Sequence, residues 1–200
     1  MNKLLYFLLI AIFSLPVYAE TCTYSYDNSQ TSVKWIAFKF TERTGVEGSF
    51  TKIEVKGSPK GNSLEEFADR VSFKIHTSSV STKNPERDEK IAKFFFKEMK
   101  KTDFIEGSFQ NTKIKGKTGT ADLILRMNEV EKTVPVQFMI KNRKEIEMKG
   151  KIDLLLWKAQ NSIDKLNKEC NTLHTGKDGK SKLWNDVEIS LSTTLKLICK

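Results

Sequence analysis

Apolar and polar residues alternate with a period of two along most of this chain. Because a strand sends successive side chains to opposite faces, each such stretch predicts a half-buried strand. Val71, Phe73 and Ile75 alternate with Ser72, Lys74 and His76. Ala121, Leu123, Leu125 and Met127 alternate with Asp122, Ile124, Arg126 and Asn128, and after a reversal near residues 128–131 the period resumes through Val134, Val136, Phe138 and Ile140. The clearest strand is the last, where Val187, Ile189, Leu191, Thr193, Leu195 and Leu197 share one phase. Further strands read over residues 32–40, 49–56, 105–114 and 147–157. Between Val33 and Phe38 both phases are apolar, so alternation does not choose an inward face there.

A helix interrupts the series over residues 85–99. Asn84 suits the N-cap, Pro85 suits the first helical position, and Glu86, Asp88 and Glu89 complement the positive end of the helix dipole. Ile91, Ala92, Phe95, Phe96 and Met99 then form one apolar stripe opposite Lys90, Lys93, Lys97 and Lys100. Phe94, Phe95 and Phe96 cannot share one face of a helix, so at least one must point elsewhere. A second short helix reads over residues 162–170, with Ile163, Leu166 and Cys170 on one side, and a polar loop follows over residues 171–182. Many strands with one or two short helices and no internal repeat predict an all-β fold, a barrel or sandwich, rather than α/β.

Residues 1–19 read as a cleaved leader, with Lys3 as the basic start, an apolar run from Leu4 to Leu15, and Val17 and Ala19 at the −3 and −1 positions. The run is short for a membrane span, so stable membrane insertion is not expected. Residues 20–200 are then a single domain with room for one sizeable core, exported to the periplasm or secreted. The net charge of +9, from 34 Lys and Arg against 25 Asp and Glu, is spread along strands and helix backs without the aromatic-plus-basic pattern of an RNA binder, and no nucleic-acid partner is expected. Cysteines stand at 22, 170 and 199. An oxidising compartment lets two pair. In an even-stranded up-and-down barrel the start of the first strand lies beside the end of the last, so a Cys22–Cys199 bridge is geometrically reasonable and leaves Cys170 free.

Groups for chemistry are sparse. Gly116-Lys117-Thr118 looks like the end of a phosphate loop, but Asn111 stands where the first glycine is required, and a β-turn is the expected structure. His76 and His174 have no partner spacing for a metal, no C-x-x-C occurs, and no nucleophile elbow accompanies any serine, so neither metal, cofactor nor catalysis is expected.

One series of residues identifies a resemblance. Ser79 and Thr82, then Asn84, Arg87 and Asp88, then a short helix ending in Phe94 to Phe96, resemble the YceI-like family, bacterial lipocalin-like barrels that bind polyisoprenoid lipids. Gly48 and Phe50 fit the same pattern, whereas Glu129 to Thr133 replaces the Gly-x-Thr-Lys-Pro usual near that hairpin. The resemblance implies an antiparallel lipocalin-like β-barrel of about eight strands, the 85–99 helix at a mouth, and a tunnel for a lipid such as an isoprenoid, a fatty acid or its amide. Periodicity cannot distinguish a tunnel from a filled barrel. The wall residues expected from their regular apolar phases are Phe73, Ile75, Leu123, Leu125, Phe138, Ile189 and Leu191, with Phe95 closing the end. Arg87 either pairs locally with Asp88 or meets a polar lipid head. The implied role is a non-catalytic carrier, with an enzyme acting on a lipid head group and a secreted structural barrel as alternatives, and a homodimer is left open.

Overall fold

The computed structural model describes residues 22–200; the expected leader lies outside them. In chain order the elements are β1 (Cys22–Ser25), β2 (Thr31–Lys39), β3 (Thr44–Phe50), β4 (Ile53–Val55), β5 (Lys60–Gly61), α1 (Leu64–Asp69), β6 (Ser72–His76), β7 (Val80–Ser81) and α2 (Pro85–Phe94). Then follow β8 (Phe104–Lys115), β9 (Thr118–Met127), β10 (Val130–Lys141), β11 (Glu145–Asp153), α3 (Gln160–Glu169), α4 (Asn171–His174), β12 (Leu183–Thr194) and β13 (Lys196–Cys199).

Ten strands form one antiparallel sheet in the order β4-β6-β8-β9-β10-β11-β12-β2-β3-β7. Eight of them have five or more residues, and the two short ones, β4 and β7, lie at its edges. The edges meet. β4 pairs with β6 and β3 pairs with β7, while the Thr51 amide donates to the Ser79 carbonyl at 3.0 Å and the His76 amide to the Lys52 carbonyl at 3.1 Å. Residues 44–55 and 72–81 therefore run as two bent strands paired with each other, and the curled sheet closes on itself. Closure removes the open strand edges that would otherwise invite aggregation.

The expected second strand thus breaks in two at Thr51–Lys52. The expected helix also ends earlier, at Phe94, with Phe96–Glu98 forming a tighter 3-10 turn. Its start is as the sequence indicates: Asn84 Oδ1 accepts from the Arg87 amide at 3.0 Å, and Pro85 opens the helix. Likewise the strand at 145–153 stops short of Trp157, because Asp153 Oδ1 accepts from the Leu155 amide and starts a 3-10 turn through Trp157. The reversal between β9 and β10 is a two-residue turn, with Met127 opposite Val130 and positive φ at both Asn128 and Glu129. Asn128 tolerates that conformation, and its side chain accepts from the Lys100 amide and donates to the Trp157 carbonyl.

Alternation along β2 resolves in favour of Val33, Trp35 and Ala37, which pack on the main core. Phe38 is on the opposite phase, where the Arg43 guanidinium lies 4.3 Å from its ring centre. Arg43 is held there by two hydrogen bonds to Asp186, at 2.9 and 2.6 Å.

Cys22 and Cys199 are bonded, and Cys170 is free and buried. The bridge does not join the barrel's own first and last strands. It ties β1 to β13 in a separate three-stranded sheet, β13-β1-β5, in which Cys22 stands opposite Cys199. That sheet and α1 form a second, smaller core around Tyr24, Phe67 and Leu195.

Candidate functional site

Inside the curled sheet is a cavity of ≈ 470 Å³. Its walls come from nearly every long strand: Val33 and Trp35 of β2, Phe73 and Ile75 of β6, Leu123 and Leu125 of β9, Met148 of β11, and Ile189 and Leu191 of β12. Ile91 of α2, with Phe95 and Phe96 just beyond it, and Ile163 and Leu166 of α3 cover one end. Of the residues expected at the wall, Phe73, Ile75, Phe95, Leu123, Leu125, Ile189 and Leu191 line it, and so does Arg87.

Phe138 does not. It stands opposite Gly119 in the β9–β10 ladder, and a Cβ on Gly119 would come within 2.3 Å of the ring. On the same face of β10, Val136 is 2% exposed and a Cβ on Gly150 would lie 3.0 Å from its Cγ1. The small Gly119, Ala121 and Gly150 flank Val136 and Phe138, so these two side chains pack against their neighbours beside the cavity and are not part of its wall. The barrel is therefore part filled and part hollow, a division invisible in the period-two pattern. Phe94, the phenylalanine that must point elsewhere, is also absent from the lining.

Two wall rings explain how space survives opposite this packed side. Trp35 stands opposite Gly48 on β3, and Phe73 stands opposite Gly107 on β8. A Cβ on Gly48 would fall 2.1 Å from the indole, and one on Gly107 would fall 2.4 Å from the Phe73 ring. Each ring thus lies across a bare patch of neighbouring backbone, against the wall rather than across the lumen. Trp35, Gly48 and Gly107 were not among the expected site residues; the signal was an aromatic on the inward phase paired with glycine, which only strand register reveals.

The polar groups gather where α2 and α3–α4 meet the sheet. Asn84, Glu86 and Arg87 are exposed and still line the cavity, so it reaches the surface there. Lys39, on the inward phase of β2 two residues beyond Ala37, donates to the Leu173 carbonyl at 2.9 Å. Burial, and secondarily the Arg87 charge, holds its ammonium below the ordinary lysine range. Lys90 pairs with Glu86 at 2.6 Å. His174 shares a hydrogen bond with Asn167 Oδ1 at 3.1 Å, and burial, with Lys39 beside it, lowers its pKa to about 4. Cys170 lines the cavity too, and burial raises its thiol above the usual range. His76 is elsewhere, bonded to Glu54 at 2.6 Å and edge-on to Phe104. Gly116 and Lys117 make the turn between β8 and β9. Among the described residues no group of three or more His, Cys, Asp or Glu could hold a metal ion.

A family model described as the YceI-like domain matches residues 24–195. The chain belongs to the YceI-like family. Its structure is similar to a polyisoprenoid binding domain from Saccharophagus degradans implicated in plant cell wall breakdown, with a TM-score of 0.61 and 12% identity over 86% of this chain and 97% of that one. It is similar to Burkholderia cenocepacia BcnA, with a TM-score of 0.55 and 14% identity over 86% and 99%. It is also similar to the Campylobacter jejuni YceI protein, with a TM-score of 0.54 and 20% identity over 81% and 89%. No curated protein matches it. At these identities the likeness is one of fold.

In this YceI-like chain the residues that carry the family pattern serve chiefly to assemble the barrel and its cover. The Ser79 carbonyl accepts the Thr51 amide at the closing seam, and Ser79 Oγ accepts from the Lys52 amide. Thr82 donates from both its amide and its hydroxyl to Asp88 Oδ1, at 2.7 and 2.5 Å. Arg87 donates from Nε to Thr82 Oγ1 at 2.8 Å and from Nη2 to the Thr82 carbonyl at 3.0 Å. Arg87 and Asp88 are therefore coupled through Thr82, and together they fasten α2 to the end of β7.

Proposed function

We propose that this protein binds a long-chain apolar or amphiphilic lipid in the barrel cavity and acts as a non-catalytic carrier or sequestering protein, with an isoprenoid as first choice and a fatty acid or amide as second. The observation that carries the reading is the cavity itself, walled mostly by aliphatic and aromatic side chains, with Lys39, Glu86, Arg87 and Lys90 gathered at one end. A void of this kind excludes water in favour of hydrocarbon. Burying roughly 15 methylene-sized groups contributes about 12 kcal/mol before the costs of association and ordering, so micromolar or tighter binding is within reach. The polyisoprenoid binding domain from Saccharophagus degradans, which shares the fold, supports the choice of ligand class. The wall residues proposed are Phe73, Ile75, Leu123, Leu125, Ile189 and Leu191, with Phe95 closing the end.

The two groups at the mouth that could perform covalent chemistry are poorly set for it. Burial keeps Cys170 as a thiol, and the thiolate is the nucleophile. His174 is held by Asn167, and no carboxylate orients it among the bonds of the described residues. This favours a carrier over an enzyme acting on the lipid head. The cysteine bridge and the leader pattern support a periplasmic or secreted location. No helix among the described residues is long and apolar enough to cross a membrane.

Mass spectrometry of a solvent extract of the purified protein tests the reading. One stoichiometric long-chain species is expected. If the protein from its native host and the recombinant protein both yield no lipid, and the delipidated protein takes up none, the proposal fails. A turnover screen on the recovered lipid separates carrier from enzyme.

A further inference from the structure

The cavity is apolar over most of its length, yet Lys39, Arg87 and Lys90 all line its surface-reaching end. Only one carboxylate, that of Glu86, lines the cavity with them, and it bonds Lys90 at 2.6 Å. Lys39 and Arg87 have no carboxylate partner among the described residues; their bonds go to the Leu173 carbonyl and to Thr82. The exposure of Arg87 leaves it reachable, while the two bonds to Thr82 fix its guanidinium in one orientation and leave Nη1 without a hydrogen bond among the described residues. Arg87 is one hydroxyl away from the Asp88 carboxylate, through Thr82, and Lys39 lies 4.4 Å over the Phe40 ring, yet neither cation bonds a carboxylate directly, so an anion at the lip of the cavity would gain two charge-assisted partners. His174 does not add to the charge at neutral pH, because burial and Lys39 hold it neutral.

Resting on the lipid-binding reading above, we infer that the mouth is a site for an anionic head group, so that the preferred cargo is an acidic amphiphile whose carboxylate or phosphate meets Lys39 and Arg87 while its chain fills the cavity. Carboxylate and phosphate share the chemistry that matters here, oxygen acceptors able to take charge-assisted bonds from an ammonium and a guanidinium edge. A neutral amide or alcohol of the same chain would bury the same hydrocarbon and leave both cations unpaired. The selectivity thus resides in two residues, and Lys39 was not foreseen from periodicity, because a lysine ending a strand reads as solvent-facing.

The test uses delipidated protein and matched pairs of probes: oleate against oleamide, and farnesyl phosphate against farnesol, each displacing a fluorescent fatty-acid reporter. The acidic member is expected to bind about tenfold or more tightly, with an affinity that falls as salt is raised. In Lys39→Gln and in Arg87→Gln the ratio within each pair should fall towards one; should Arg87→Gln fold poorly through loss of its Thr82 bonds, Lys39→Gln alone decides. Inorganic phosphate should not displace the reporter, since it lacks the chain. Displacement by phosphate at the same concentrations as farnesyl phosphate would mean a site for the free anion and overturn the assignment to an amphiphile. Equal binding of both members of a pair, unchanged by the substitutions, would refute the head-group site while leaving lipid binding intact. Binding of neither member would remove the lipid-binding reading and this inference with it.

Discussion

Replacing Leu191 by Trp separates a hollow barrel from a filled one. Leu191 is half-buried on β12, opposite Met148 on β11 and Val33 on β2, and all three side chains line the cavity. An indole adds about six heavy atoms at this position and displaces roughly four methylenes of a bound chain; at about 0.8 kcal/mol each, the loss is about 3 kcal/mol, or about a hundredfold in affinity. Because those atoms enter open volume, the cost to folding should stay under about 1 kcal/mol, against about 1–3 kcal/mol for overpacking a closed core. Val136→Phe is the internal comparison, since Val136 sits in the filled part of the same barrel beside Gly150 and should show the overpacking cost. Urea denaturation of delipidated samples gives stability, and reporter displacement gives affinity. Should Leu191→Trp be destabilised as much as Val136→Phe while binding lipid as the parent does, the cavity would not be the ligand site and the reasoning above would be wrong.

The Cys22→Ser, Cys199→Ser double variant should lose up to about 5 kcal/mol, because the bridge closes a separation of 177 residues; an unchanged urea midpoint would show that the small sheet holds without it. Gly107→Ala should drive the Phe73 ring off the wall, costing about 1–3 kcal/mol and reducing lipid capacity, since the new methyl would lie 2.4 Å from the ring; a variant with parental stability and uptake would contradict the wall geometry. His174 should make the protein less stable as pH falls. Its folded pKa of about 4 lies below the ordinary 6.5, so the unfolded chain takes up the proton first, and stability is full above about 6.5 and declines towards 4. His174→Gln should flatten that limb of the urea-midpoint profile, and an NMR titration placing His174 near 6.5 would refute the buried neutral state.

Much of the fold was legible because period-two alternation and burial are the same fact seen twice. The pairing of β8, β9, β10 and β11 follows from runs of inward apolar residues and from turns with positive φ at Gly116, Asn128 and Asn142. What alternation cannot see is a strand that bends. The sequence reads as one strand over residues 49–56, whereas the chain is already extended from Thr44 and breaks at Thr51–Lys52, where it bends together with its partner 72–81. The helix α1 carried a readable signal that periodicity passed over: Ser63 Oγ accepts from the Glu66 amide while Glu66 reaches back to the Asn62 amide, a close relative of the capping box. The last strand looked continuous through Leu197, but it divides at Leu195, whose amide donates to the Lys144 carbonyl and whose side chain, 3% exposed, belongs to the smaller core. A change of partner sheet leaves the alternation of side chains intact, so the sequence keeps its rhythm across the break.

The hollow was harder to foresee than the barrel, for a physical reason. Hydrocarbon wall and hydrocarbon core demand the same residues, and an inward leucine is silent on whether another side chain or a ligand completes its surroundings. The difference lies in pairs across strands. Where glycine faces Trp35, Phe73 or Phe138, the ring lies over backbone; Trp35 and Phe73 do so at the edge of the lumen, while beside β10 the small Ala121 and Gly150 flank Val136, which is fully enclosed. Trp35 and Phe73 are large and lie flat against the side they cover, so they widen the space beyond them, while the compact Val136 fills its own. A single register shift between β2 and β3 would move Gly48 from beneath Trp35 and bring a Cβ against the indole, pushing the ring into the cavity. The cavity is therefore specified less by which apolar residues are present than by which residue each one meets.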